Sequence, residues 1–404
     1  MTSQQHPQFE EALKAIDSGN ASQLKALLKD HPELVKAQSM TDDEPYSGYF
    51  YRATLLHHVA GNPVRGPLPD NIVEIAQILL DAGADIEAPC GGGPTQPNTH
   101  GGTTLGLLAS GRTAENQGLA ESLMEVLLKA GAKMDSNGTG GIMWISLYHT
   151  VENKGQRDVA RMLYDRGHGV DLCFAAGLGL LDQVKSYFLE DGSLKQGADH
   201  YYKHHRRTNK EATTEEILED AFLFACINGE LEVAEYLLAK NININAKRPW
   251  GPELITPLHG AAWAGWKHIA QFLIANGADP YCRDKNHNAT PVSWAQYCKK
   301  PEVMEYLLED ENNLDLFDAL EFGKVNRFEA LFGDTDPNAA LMKGESGVFL
   351  RVAAYHGYSA IVRFLLEKGA DPNLSNSKGE TALFWARKNN HTDVIQILED
   401  ETHR

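Results

Sequence analysis

The residues best suited to chemistry are Asp199, His200, His204 and His205. His200 and His204 stand four apart, so on a helix they would share a face, as zinc ligands do. No HExxH accompanies them, however, and Lys203, Arg206 and Arg207 set positive charge beside any bound ion. The segment reads as a basic, partly solvated finger, and no metal is assigned. Tyr148, His149 and Glu152 could make an acid/base pair, but they read better as the polar surface of a helix. The sequence has no GxSxG, no GxxxxGK(S/T) and no GxGxxG after a strand. Gly91–Gly93 lacks the flanking strand and helix that a phosphate cradle needs. The cysteines (Cys90, Cys173, Cys226, Cys282 and Cys298) are scattered, odd in number and without a CxxC pair. They read as small buried thiols in a reducing compartment, not as a disulfide framework. No catalytic residue and no cofactor is expected.

Composition narrows the partners. The chain has 404 residues, 42% of them hydrophobic, and a net charge of −18. Such a chain buries a core and is not disordered. The acidic balance opposes phosphate neutralisation on nucleic acid and docking on anionic lipid, and it suits a basic protein partner. The start, MTSQQHPQFEEALKAI, has neither the basic nor the apolar region of a secretion signal, and no apolar run nears the ~18 residues of a membrane span. A cytoplasmic monomer with no membrane association is expected.

The elements that would carry any site come from a repeated phrase. A polar turn, a first helix, a tight turn with Gly or Asn, and a second helix ending in Leu-Leu lead into Gly-Ala-Asp. The clearest copy is TPLHGAAWAGWKHIAQFLIANGADP, from Thr256 to Pro280; others are NIVEIAQILLDAGADIEA and FLRVAAYHGYSAIVRFLLEKGADPN. Thr256 can cap the first helix and Pro257 fits its first turn, where no N–H partner is lost. Ala261 and Ala262 let helices approach closely, and His259 can reach a neighbouring turn. Ile269, Phe272 and Leu273 form one apolar face, and Gly277 ends the second helix.

These residues resemble the ankyrin repeat, about 33 residues long with a TPLHxAA opening. The divergent copies and long insertions are similar to those of bacterial ankyrin-repeat proteins. The resemblance implies an all-α, right-handed-stacked solenoid of about ten or eleven helix-turn-helix units. Starts fall near Phe9, Thr54, Thr103, Gly141, Asp171, Leu218, Thr256, Thr290, Leu314, Ser346 and Thr381. The units at Gly141, Asp171 and Leu314 lack TPLH and rest on periodicity alone. The expected organisation is N-terminal repeats with a cap and two finger insertions over 1–190, a basic and aromatic insertion over 191–213, and C-terminal repeats with a terminal cap over 214–404.

Repeat-consensus residues specify a scaffold, so function is sought where the spacing breaks. Insertions fall at Gln38–Arg52, Pro89–Gly102, Asp191–Thr213 and Lys247–Ile255. They carry Tyr46, Tyr49, Phe50 and Tyr51, then Tyr201 and Tyr202, then Trp250, rings of the type enriched at binding hot spots. The alternative is that these rings seal the loops onto their own scaffold. The resemblance implies a second set at the ends of first helices, where the family's groove lies: Trp263, Tyr297, Tyr355 and His356, with Trp266 just after the turn glycine, where the family usually has His. Trp294 and Trp385 fall on the core side. The leading expectation is a non-catalytic module that binds a protein on a concave aromatic face, in its sharpest form an acidic, immunity-type inhibitor of a basic protein. The rival is an enzyme or small-ligand binder whose pocket the insertions build over the groove.

Overall fold

The computed structural model describes residues 5–40, 50–61, 66–91, 102–111, 114, 117–134, 143–144, 146–147, 156–204, 210–250, 253–339 and 347–402. The chain forms two compact units, Met1–Ala264 and Gly265–Arg404. Each is built of stacked helix pairs, as the all-α solenoid reading requires.

In the first unit α1 (Phe9–Asp17) pairs with α2 (Ala21–Asp30), and a 3-10 turn at Leu55–Ala60 pairs with α3 (Ile72–Asp81). There follow α4 (Thr104–Ser110) and α5 (Ala120–Lys129), then helical residues 143–144 and 146–147 and α6 (Gln156–Asp165). The pairs α7 (Leu172–Gly177) with α8 (Leu181–Ser186), and α9 (Thr214–Asn228) with α10 (Leu231–Leu238), lead to a short hairpin. Its strands are β1 (Arg248–Trp250) and β2 (Glu253–Ile255), antiparallel with Arg248 opposite Ile255, and α11 (Pro257–Ala264) follows. The second unit holds α12 (Lys267–Ala275), then four pairs: α13 (Pro291–Tyr297) with α14 (Pro301–Glu309), α15 (Leu316–Glu321) with α16 (Val325–Phe332), α17 (Val348–His356) with α18 (Ser359–Glu367), and α19 (Ala382–Lys388) with α20 (Thr392–Thr402).

First helices pack on first helices, α7 on α9 and α9 on α11 in one unit, α15 on α17 and α17 on α19 in the other. Second helices stack likewise, α16 on α18 and α18 on α20. This placement explains burial along α9. A helix flanked on both sides by first helices has no wet stripe, and Asp220–Asn228 is buried without a break. Second helices keep one apolar stripe; in α18 it is Ile361, Val362 and Leu365.

Helix starts follow the sequence reading closely, with α9 the exception. It begins at Thr214, four residues before the expected Leu218, because Thr213 and Glu216 form a capping box: Thr213 Oγ1 accepts from the Glu216 N–H at 3.2 Å, and Glu216 accepts from the Thr213 N–H at 2.9 Å. The threonine–histidine pair of the repeat opening is visible at Thr54 and His57. His57 Nδ1 accepts from the Thr54 N–H at 2.9 Å, which leaves the proton on Nε2 to bond Ala88 O at 2.9 Å in the next linker. Burial pushes His57 down to about 4 and its buried neighbour His58 down to about 3.

Candidate protein-interaction site

Two of the insertions fold into the scaffold. Asp171, the N-cap of α7, accepts from the Phe174 N–H at 2.9 Å through one oxygen. Its other oxygen accepts from the N–H groups of Tyr201 and Tyr202, at 3.0 and 2.7 Å. One carboxylate thus caps a helix and pins the third insertion 30 residues later. Tyr202 is driven inside, its ring 4.8 Å from Phe224 and 5.5 Å from Trp144, while its hydroxyl donates to Pro249 O at 3.2 Å. Trp250, fully buried, completes this cluster at 4.9 Å from Phe224 and 5.2 Å from Trp144. Tyr201 is half-buried, stacked on Phe174, and a Cβ at Gly169 would run into its hydroxyl. The hairpin carrying Trp250 is fastened by Arg248, whose Nε donates to the buried Asp220 at 2.7 Å, with Glu216 and Glu219 at 3.5 and 3.8 Å.

The first two insertions are tied at their ends. The Ser39 hydroxyl donates to Phe50 O at 2.9 Å, and buried Phe50 stacks on His58 at 5.1 Å. Tyr51 is half-buried, and its carbonyl accepts from the Gly91 N–H at 2.6 Å. Cys90 closes the second insertion with its thiol on Gly102 O at 3.2 Å, and burial pushes that thiol up to about 12, far from a reactive thiolate. Tyr46 and Tyr49 lie outside the described residues, as do Tyr148, His149 and Glu152. Of the basic finger, Asp199 and His200 are described, whereas the His204 side chain and His205 are not. The expectation that Phe50, Tyr202 and Trp250 meet a partner is corrected by this packing. An aromatic ring buries about 150–250 Å², and here the gain is taken inside the chain.

The helix ends behave differently. In the second unit the tight turn between helices holds a residue of positive φ: Lys299 at 56°, Gly323 at 65°, Gly357 at 79° and Asn390 at 60°. Two residues before each stands a helix-end side chain, in order Tyr297, Glu321, Tyr355 and Lys388. Tyr297 is 87% exposed and Tyr355 45%, the two most exposed aromatic rings of the described residues. The same spacing puts Trp263 before Gly265; Trp263 and Trp266 are half-buried, and Trp266 lies edge-on to His268 at 5.8 Å.

Around Tyr355 the side chains are held in place. Its carbonyl accepts from Asn389 Nδ2 at 2.7 Å and contacts His391 Nε2 at 2.9 Å, and its ring meets Trp385 edge-on at 5.4 Å. Half-buried His356 stacks on Tyr358 at 5.3 Å, with Nε2 3.3 Å from a Glu321 carboxylate oxygen. Lys388 Nζ lies 4.4 Å over Trp385. Phe384, 42% exposed, shares an open hollow of about 420 Å³ with Thr381, Leu383, Arg387 and Lys388. Trp294 packs as expected, buried with its Nε1–H on Asp284 at 2.9 Å; Trp385 remains half open. Glu321 and Phe384 escaped the sequence reading. The α15 unit has no TPLH to set its frame, although counting back two from Gly323 would have found Glu321.

The sequence profile described as "Ankyrin repeats (3 copies)" matches residues 112–284, 222–318 and 316–403. The palmitoyltransferase AKR1 of Lachancea kluyveri is 27% identical over 184 residues, which are 43% of this chain and 20% of that protein. The ankyrin repeat and KH domain-containing protein mask-1 of Caenorhabditis elegans is 26% identical over 178 residues, 44% of this chain and 6% of the relative. The match thus spans a fifth or less of the length of these relatives. Among solved structures, a chain from the Bdellovibrio bacteriovorus predatory endopeptidase Bd0816 in complex with immunity protein Bd3460 is 28% identical, covering 44% of this chain and 96% of that one at a TM-score of 0.31. Among the described residues, no helix is long and apolar enough to cross a membrane. The profile matches overlap and run without a break from residue 112 to residue 403, and the protein belongs to the ankyrin-repeat family of protein–protein interaction modules.

Proposed function

We propose that this chain is a non-catalytic recognition protein that holds a protein partner on the helix-end row of its second unit, Tyr297, Glu321, Tyr355 with His356, and Lys388. The observation that carries this reading is the exposure of Tyr297 and Tyr355 on ordered helices. Rings anchored this way bury large area on binding while losing few rotamers, which is why Tyr dominates hot spots. The insertions, by contrast, bury Phe50, Tyr202 and Trp250 within the scaffold. Tyr202 of the third insertion and Trp250 of the fourth both pack on Trp144 and Phe224, a filled junction that offers little to the small-ligand alternative.

The partner is a basic protein, because a net charge of −18 steers cationic surfaces toward the chain and repels acidic ones. In this reading the protein neutralises its target by occupying it, as an inhibitor does. The test is affinity capture from the native lysate with the full chain and with a Tyr297→Ala/Tyr355→Ala variant, both checked for unchanged unfolding midpoints. The reading expects a basic protein retained by the first and lost by the second. Equal retention by both would remove the row from the interface.

A further inference from the structure

Three ligand atoms converge where the segment before α1 meets the end of α2. His6 Nε2 lies 3.1 Å from Glu33 Oε1, and His31 Nδ1 lies 3.7 Å from the same oxygen. All three atoms are within 4.8 Å of one another, and the two imidazoles face edge-on at 5.7 Å. Ligands at about 2.0–2.1 Å from a tetrahedral zinc ion are about 3.3 Å apart. The two short edges already bracket that spacing, and the long edge closes by rotation of side chains that are partly exposed. The side chains are 18%, 40% and 63% exposed for His6, His31 and Glu33, so an ion has a direct path in.

The donor set selects the ion. Two imidazoles and a carboxylate suit zinc and its borderline neighbours, whereas calcium and magnesium ask for oxygen ligands. The surroundings favour positive charge: His31 caps the C-terminal end of α2, where the last carbonyls carry partial negative charge.

We propose that His6, His31 and Glu33 form a three-ligand site for a divalent ion of the zinc type, which fastens the segment before α1 to the turn after α2. Water fills the fourth position. Binding through His6 Nε2 moves the ring proton to Nδ1, so the 3.2 Å bond from the Gln8 N–H opens to solvent. That exchange sacrifices one partly exposed hydrogen bond for a metal–nitrogen bond.

The test uses the full chain stripped with chelator, titrated calorimetrically with Zn²⁺ and then with Co²⁺ followed by visible absorption. The chain has 16 histidines, so His6→Ala and His31→Ala locate the ion. The expected result is one saturable equivalent with a tetrahedral Co²⁺ spectrum, weakened at least about tenfold in either variant while far-ultraviolet circular dichroism stays unchanged. Zn²⁺ should also raise the unfolding midpoint of the parent chain and not of the variants. No saturable binding, or binding equally tight in His31→Ala, would overturn the site.

Discussion

Trp250 and Tyr297 are both large rings beside a turn, yet they occupy opposite situations. Trp250 is fully buried among Trp144, Tyr202 and Phe224, so truncating it empties a packed site. Trp250→Ala should destabilise the first unit by about 3–5 kcal/mol, read by chemical denaturation. Tyr297 touches mainly water, so Tyr297→Ala should shift stability by no more than about 0.5 kcal/mol and weaken partner binding by about 2 kcal/mol. The sequence could not separate the two, because rings in Gly- and Pro-rich insertions show no period. What decides is a polar anchor distant in the chain: Asp171 for Tyr202, and Asp220 for the Arg248 strand that bears Trp250. Helix-end positions were easier to read, since Tyr355 and His356 follow an Ala-Ala pair and precede a turn glycine. Lys299 is another residue-scale feature. It adopts φ 56° where two neighbouring turns use glycine. Lys299→Gly should therefore raise stability by up to about 1 kcal/mol, the left-handed penalty of a side chain less the extra chain entropy of glycine.

At the scale of elements, buried titratable groups give helix pairs opposite responses to acid. Asp318 on α15 accepts from the Thr290 hydroxyl at 2.8 Å, and its second oxygen has no hydrogen-bond partner among the described residues. Burial, helped by the Asp315 charge, pushes its carboxyl up to about 6 from 3.8. The folded chain therefore keeps a proton that the unfolded chain has released, so stability falls as pH rises between these values and stays lower above them. The difference is about 3 kcal/mol, and Asp318→Asn should raise the unfolding midpoint at pH 8 far more than at pH 4. His57 and His58 act in reverse. Their folded values, about 4 and 3, lie below the ordinary 6.5, so the stability of their repeat is complete above 6.5 and declines as pH falls. Hydrogen exchange at pH 7 and pH 5, corrected for intrinsic rates, should show Leu55–Ala60 and α3 losing protection while α13 and α15 gain it. Which residues carry these responses was only partly legible. TPLH at Thr256–His259 and its variant TLLH at Thr54–His57 each announce a buried histidine, whereas Asp318 sits in a unit without that phrase.

For the molecule as a whole, neighbour-on-neighbour packing makes the repeat pattern a reliable guide to fold, because each helix pair is specified by a few local residues and its contact with the next. The same logic hides the binding surface, since positions free of packing duty are free to vary. Charge works at this scale too. With −18 spread over the chain, association with a basic partner should slow steeply as salt is added, measurable by stopped flow. A salt-indifferent rate would point to an apolar encounter. The most direct measurement is site-specific photo-cross-linking in native lysate, with a benzoylphenylalanine placed in turn at Tyr297, at Tyr355, and at the exposed Glu305 of the second helix α14. The account predicts one protein adduct shared by the two helix-end positions and absent at Glu305. Adducts at Glu305 alone, with the helix-end positions silent, would contradict it.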